Sequence, residues 1–166
     1  MKTYFSFHKD HFNNQGDQGN IEVLRMVLER QGETLVESGA LDADFVLFGD
    51  ASRAAMEHYE AELSSFVDQL HKRMVDGKPT LLVGSCYEYY LPLLSGIPFE
   101  KYERSSEFRK IESELGPIVG YRNSTIGELD ILIDRGFVGT TLFGPILAVN
   151  PVLLNRVLAE MNLGEA

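Results

Sequence analysis

The segment LLVGSCYEYY, residues 81–90, holds the only cysteine of the chain, Cys86, two residues beyond a glycine. The branched apolar run Leu81-Leu82-Val83 ends in Gly84-Ser85. That is how a buried strand delivers a nucleophile onto a sharp turn ahead of a helix. A thiolate there could attack a carbonyl carbon, given a histidine to move the proton and backbone N–H groups to hold the oxyanion. A cysteine near a glycine turn also reads as a small buried hydrophobe. Of the four histidines, His8 and His11 flank Asp10 near the N-terminus. A His-x-x-His pair on an irregular loop, with no further ligand spacing, reads as two surface histidines rather than a metal site. His58 and His71 fall on a helical pattern and are expected at its solvent edges. Only His8 or His11 could reach Cys86 from the first loop.

The elements that must carry these groups follow from the apolar pattern. Apolar runs alternate with helical stretches, which predicts a parallel α/β layer. Strands are expected at Tyr4–Phe7, Thr34–Glu37, Asp44–Phe48 and, centrally, Thr80–Val83. The turn-rich loop 13–20 opens a helix with Ile21, Leu24, Val27 and Leu28 on one face, stopped at Gly32. Met56, Tyr59, Leu63, Phe66, Val67, Leu70 and Met74 recur at helical spacing and predict one long helix from Ser52 to Val75. A helix from Ser85 to Leu94 follows the central strand. Residues 95–120, polar and broken by Pro98 and Pro117, read as surface loops. Ile118–Val119, Leu129–Ile133 and Phe137–Leu142 read as later strands. Asn150-Pro151 is a cap-then-proline start for a closing helix over Val152–Met161.

A chain of 166 residues can bury its own core and is expected to form one domain over residues 1–166. Its 44% hydrophobic and 24% charged content is that of an ordinary globular protein. No apolar run reaches membrane length, and the N-terminus lacks the pattern of a signal peptide. One cysteine permits no internal disulfide, which fits a reducing cytoplasm. A formal charge of −10 opposes binding to nucleic acid or anionic lipid, both of which need a positive field. The mixed charges from Glu100 to Glu114 read as a solvated face. The loop 16-GDQGN-20 is not a phosphate loop, since no Gly-Lys-Ser/Thr follows; its N–H groups could meet an anion, or its glycines could serve turn geometry alone.

Read together, three islands resemble the cobyric-acid-synthase type of class I glutamine amidotransferase, and most of all the small glutaminase subunits of lipid II isoglutaminyl synthases. The first is Asp10-x-x-Asn13-x-x-Gly16-Asp17-Gln18-Gly19-Asn20, similar to the family's loop after its first strand. The second runs from Gly77-Lys78-Pro79 through Glu88, similar to its strand, nucleophile elbow and helix. The third, Gly139 to Leu147 with Asn150-Pro151, is similar to the segment with the catalytic histidine. Leu115-Gly116-Pro117-Ile118-Val119-Gly120-Tyr121-x-Asn123-Ser124 is a weaker fourth match. The resemblance implies a three-layer sandwich, with a central mostly parallel sheet and helices on both faces.

It also implies where the chemistry should sit. The family's cysteine stands five residues after the strand-opening proline, and counting from Pro79 puts Gly84 there. The family's histidine precedes Gly-Pro in the third island, and that position is Phe143. Cys86 falls two places late, Tyr87 matches a family tyrosine, and Glu88 replaces a usual glutamine. The expected function is therefore a degenerate amidotransferase-like domain that binds a ligand or a partner enzyme, with no catalytic residue, metal or cofactor. Ligand contacts are expected from Gly49, Asp50, Ser85, Tyr87 and Glu88. The alternative is an active glutaminase with Cys86 as nucleophile. For either, the resemblance implies a cytoplasmic place near cell-wall precursor amidation, with a Mur-ligase-like partner.

Overall fold

The computed structural model describes residues 1–127 and 129–166. In chain order the elements begin with β1 (Lys2–Ser6), α1 (Gly19–Arg30), β2 (Leu35–Glu37) and β3 (Phe45–Phe48). Three short helices follow, α2 (Arg53–His58), α3 (Glu60–Ser65) and α4 (Val67–Asp76), then β4 (Thr80–Val83) and α5 (Ser85–Ser95). The remainder comprises β5 (Lys101–Ser113), β6 (Gly116–Ile126), β7 (Ile131–Asp134), β8 (Phe137–Thr140), β9 (Leu142–Phe143), α6 (Ile146–Val149) and α7 (Pro151–Glu160).

The main sheet has the order β2-β1-β3-β4-β8-β7 and is parallel except for its last strand, which runs antiparallel to β8. Every residue of β3, β4 and β8 is buried, which is why these strands read as unbroken apolar runs rather than alternating ones. Alternation instead divides their side chains between two cores. Phe45, Leu47, Leu81 and Val83 pack with α1, α6 and α7, whereas Val46, Phe48 and Leu82 pack with α3, α4 and α5. The chain is thus an α/β sandwich, with a mostly parallel sheet between helical layers.

Three sequence expectations are corrected. The long helix over 52–75 is broken at Tyr59 (φ −98°, ψ 9°) and Phe66 (φ −94°, ψ −2°). At Phe66 the N–H bonds to Leu63 rather than to the carbonyl four residues back. The bends let both rings turn inward. Tyr59 stacks on His8 at 4.1 Å, and Phe66 meets Phe5, Phe7 and Phe48 at about 6 Å. Helical periodicity cannot register bends that keep the same residues on one side.

Residues 101–126 form a hairpin, not loops. β5 and β6 pair antiparallel across a tight turn at Glu114–Leu115, with Gly116 at φ 98°. Most of β5 is exposed on both faces, so it carries no apolar alternation; its partner β6 supplies the pairing. β6 and β9 pair as well, giving a second sheet in the order β5-β6-β9. Lastly, Asn150 makes no side-chain cap on α7. Its Oδ1 accepts from the Val119 N–H at 2.8 Å, and its Nδ2 donates to the Val119 and Ile146 carbonyls, both at 2.9 Å.

One buried cation ties α4 to the sheet. Arg73 donates to Thr80 Oγ1 and to the carbonyls of Leu41, Ala43 and Pro79 at 2.7–2.9 Å. Burial lowers its pKa to about 10, against the pull of Asp44 and Asp42. Replacing Arg73 by Met keeps the stem and strands three carbonyls. The expected loss is about 2–4 kcal/mol, read as a lower urea midpoint with unchanged slope.

Candidate functional site

Gly84 stands at the junction of β4 and α5 with φ 57° and ψ −117°, a backbone that glycine alone adopts without strain. A Cβ at this position would come 2.5 Å from Phe143 Cε1 and closer still to Asp50 Oδ1. Two groups from elsewhere in the chain therefore fill the space that a side chain on this turn would need. Asp50 follows β3, and the residue is 6% exposed. Phe143 closes β9 in the second sheet.

Asp50 also occupies the helix end. Its Oδ1 accepts from the Ser85 N–H at 2.9 Å, and its Oδ2 accepts from Asn14 Nδ2 at 3.4 Å. Ser85 Oγ accepts from the Ala51 N–H at 3.0 Å and lies 3.3 Å from the Ala51 carbonyl. The donor at the start of α5, the one an oxyanion would need, is already bonded to the chain's own carboxyl.

Cys86 is fully buried in the core among Phe7, Phe48, Tyr87 and Tyr90. Burial raises its thiol pKa well above the ordinary value, and the charges of Asp50 and Asp17 add to the rise. A thiol so placed is a poor source of thiolate. The histidines that could have served it lie elsewhere. His8 pairs with Glu62 at 2.8 Å and stacks on Tyr59, and His11 lies 5.6 Å from the same ring.

Above the Gly84 turn lies a cleft of about 530 Å³, outside the carboxyl ends of β3 and β4, where open α/β sheets bind ligands. Of the residues expected to contact a ligand, Asp50, Ser85 and Glu88 line it. Gly49 and Tyr87 do not. Gly49 is buried beneath, where a Cβ would collide with the Phe12 carbonyl. Tyr87 is fully buried, with its hydroxyl bonded to the Leu129 carbonyl at 2.7 Å and its ring against Gly139.

The sequence reading missed Asn14, Gln15, Arg53, Arg104 and Asn123, which also line the cleft. Arg104 donates to Asn123 Oδ1 at 2.9 Å. Glu88 accepts from the Ser124 hydroxyl, and burial raises its pKa despite that bond. Asn123-Ser124 stood in the weakest sequence match, and only the β5–β6 pairing carries them to the cleft.

Under the cleft, Asp17 is fully buried and its Oδ1 has no partner among the described residues. Burial pushes its pKa up to about 7, the Asp50 charge adds a little, and backbone N–H groups near Asp50 and Gln15 oppose the rise. The loop that holds it spends its N–H groups internally, with Gly19, Asn20 and Ile21 bonded to Gly16, Asp17 and Gln18. That arrangement matches turn geometry rather than an open anion cradle.

Two outcomes follow from this geometry. Gly84→Ala is expected to cost about 2–4 kcal/mol, from the strained backbone plus the collision with Asp50 and Phe143, measured by urea unfolding. Asp17 has a folded pKa of about 7 against an ordinary 3.8, so between these values the folded chain holds a proton the unfolded chain has lost. Its contribution to stability therefore falls as pH rises through that window. Asp17→Asn removes the fall, so the variant gains on the parent between pH 5 and pH 8 in paired unfolding curves.

No family model matches this chain, and no curated protein matches it. Among solved structures, "Crystal structure of SMU.1228c" superposes with a TM-score of 0.52 at 11% identity, covering 96% of this chain and 82% of that one. "Structure of PurLQS from Thermotoga maritima" gives a TM-score of 0.47 at 11% identity, over 98% and 96% of the two chains. At such identity the likeness to SMU.1228c is one of fold alone, and the fold is the α/β sandwich described above.

Proposed function

We propose that this chain is a catalytically silent relative of the glutamine amidotransferases, whose cleft binds a ligand or a partner instead of turning over glutamine. One observation carries the reading. The volume in which a nucleophile on the Gly84 turn would stand is filled by the Asp50 carboxyl and the Phe143 ring. The same carboxyl holds the Ser85 N–H, so nucleophile space and oxyanion donor are taken together. Sequence resemblance supplies the family, and with it the proposal of a cytoplasmic role beside a Mur-ligase-like protein in cell-wall precursor amidation. The cleft's own groups, a carboxyl from Glu88 and the guanidinium groups of Arg53 and Arg104, suit a polar ligand of mixed charge.

The competing reading makes Cys86 the nucleophile. It would need a buried thiol to ionise and reach the cleft without an imidazole beside it. Glutamine hydrolysis by the purified chain, alone and with a co-encoded ligase, separates the two. Ammonia release is expected at background, and Cys86→Ala leaves it unchanged. Turnover that Cys86→Ala abolishes would reverse the assignment. Restoring the family residues with Gly84→Cys and Phe143→His is expected to give no activity either, because Asp50 still stands on the turn.

A further inference from the structure

β5 is an edge strand. Its inner side pairs with β6, and in the sheet order β5-β6-β9 no strand among the described residues pairs with its other side. Such an edge offers a row of free N–H and C=O groups, a template for another strand. Phe108, near its middle, is 84% exposed, and its ring meets the edge of Tyr121 at 5.2 Å across the hairpin. Charged residues commonly protect an edge of this kind. Here their order also suits a strand of the same sequence.

We propose that β5 pairs antiparallel with β5 of a second copy, with Phe108 on the two-fold axis. In that register Glu107 faces Arg109 of the other copy, twice by symmetry, and over the regular part of the strand from Ser105 no like charges meet. Moving the centre to Glu107 sets that residue against itself. Moving it to Arg109 sets two arginines together. The favoured register also sorts the faces. Glu107 and Arg109, already 2.9 Å apart within the strand and with Arg109 2.9 Å from Asp130, would join their symmetry mates in an alternating cluster. On the opposite face the rings would run Tyr121, Phe108, Phe108, Tyr121 across the joined sheets. The row borders the apolar groove of about 420 Å³ formed by Val119, Tyr121, Phe143, Pro145 and Val149. The inference does not rest on the reading of the cleft.

An edge contact buries less surface than a permanent dimer, so association is weak and depends on concentration. Sedimentation velocity over a dilution series is expected to show the mass rising from one chain toward two. Phe108→Lys, at an exposed position that leaves the fold intact, is expected to weaken the dimer about tenfold or more by opposing two ammonium groups. Facing residues of an antiparallel pair have Cα atoms about 4.5–5.5 Å apart, within reach of a disulfide. Phe108→Cys therefore cross-links to a dimer under mild oxidation. Lys110→Cys, which would face Ser106, does not, and the buried Cys86 adds no bond of its own. A chain that stays single at every concentration overturns the proposal. So does a dimer indifferent to Phe108→Lys, an edge that takes up an unrelated peptide while the chain remains single, or a Phe108→Cys chain that fails to cross-link.

Discussion

The bond from the Ser85 N–H to the Asp50 carboxyl is the contact on which the organisation of the site depends. It joins the end of β3 to the start of α5 across the ends of two adjacent parallel strands, and it places a carboxyl at the positive end of the helix. With that carboxyl in place, the turn between β4 and α5 tolerates no side chain, and glycine at residue 84 becomes a steric requirement as well as a conformational one. Phe143 then packs against the bare turn and brings the second sheet up to the first. A single hydrogen bond thus fixes the residue at the elbow, the docking of β9 and the floor of the cleft.

Below that floor the chain tolerates an expense of another kind. Asp17 sits wholly buried with one oxygen unpartnered, close enough to Asp50 for their charges to oppose one another. Burial, and to a lesser degree the Asp50 charge, favour the protonated form of Asp17. With its pKa at about 7, the β1–α1 loop carries this acid as a neutral group below that pH, and the charge it gains above it is added close to the Asp50 bond to Ser85.

Much of the scaffold was legible because buried parallel strands and amphipathic helices announce themselves by composition. β3, β4 and α5 fall within a residue of where their apolar runs place them, and α1 begins at Gly19, at the end of the loop expected to open it. Gly84 at the β4–α5 junction and Phe143 beside it are the two positions that the family resemblance singles out. What escaped was set by partners distant in sequence. β5 is polar on both faces and is a strand only because β6 lies beside it. The bend at Phe66 goes with rings on β1 and β3, and that at Tyr59 with Phe7, His8 and Phe12 in the loop after β1. The resemblance puts Gly49 and Tyr87 at the ligand, and a resemblance does not say which side of a turn faces solvent. Arg104 and Asn123 reach the cleft through the hairpin, so no local pattern could have announced them.

Asn150 closes the account of the second sheet. Its side-chain amide accepts from the N–H and donates to the C=O of the same residue, Val119, as a peptide group on a neighbouring strand would. A third bond returns to Ile146. The amide is a surrogate for one residue of a missing strand, placed just beyond the point where β9 runs out along β6. Its mechanical consequence is that β6 is riveted to the α6–α7 corner near the turn end of the hairpin, where Leu115 and Ile118 also pack on the core. The turn end is thereby tied to the helical corner, and the Val119 amide proton exchanges with the slow pace of that corner rather than the fast pace of a free ribbon.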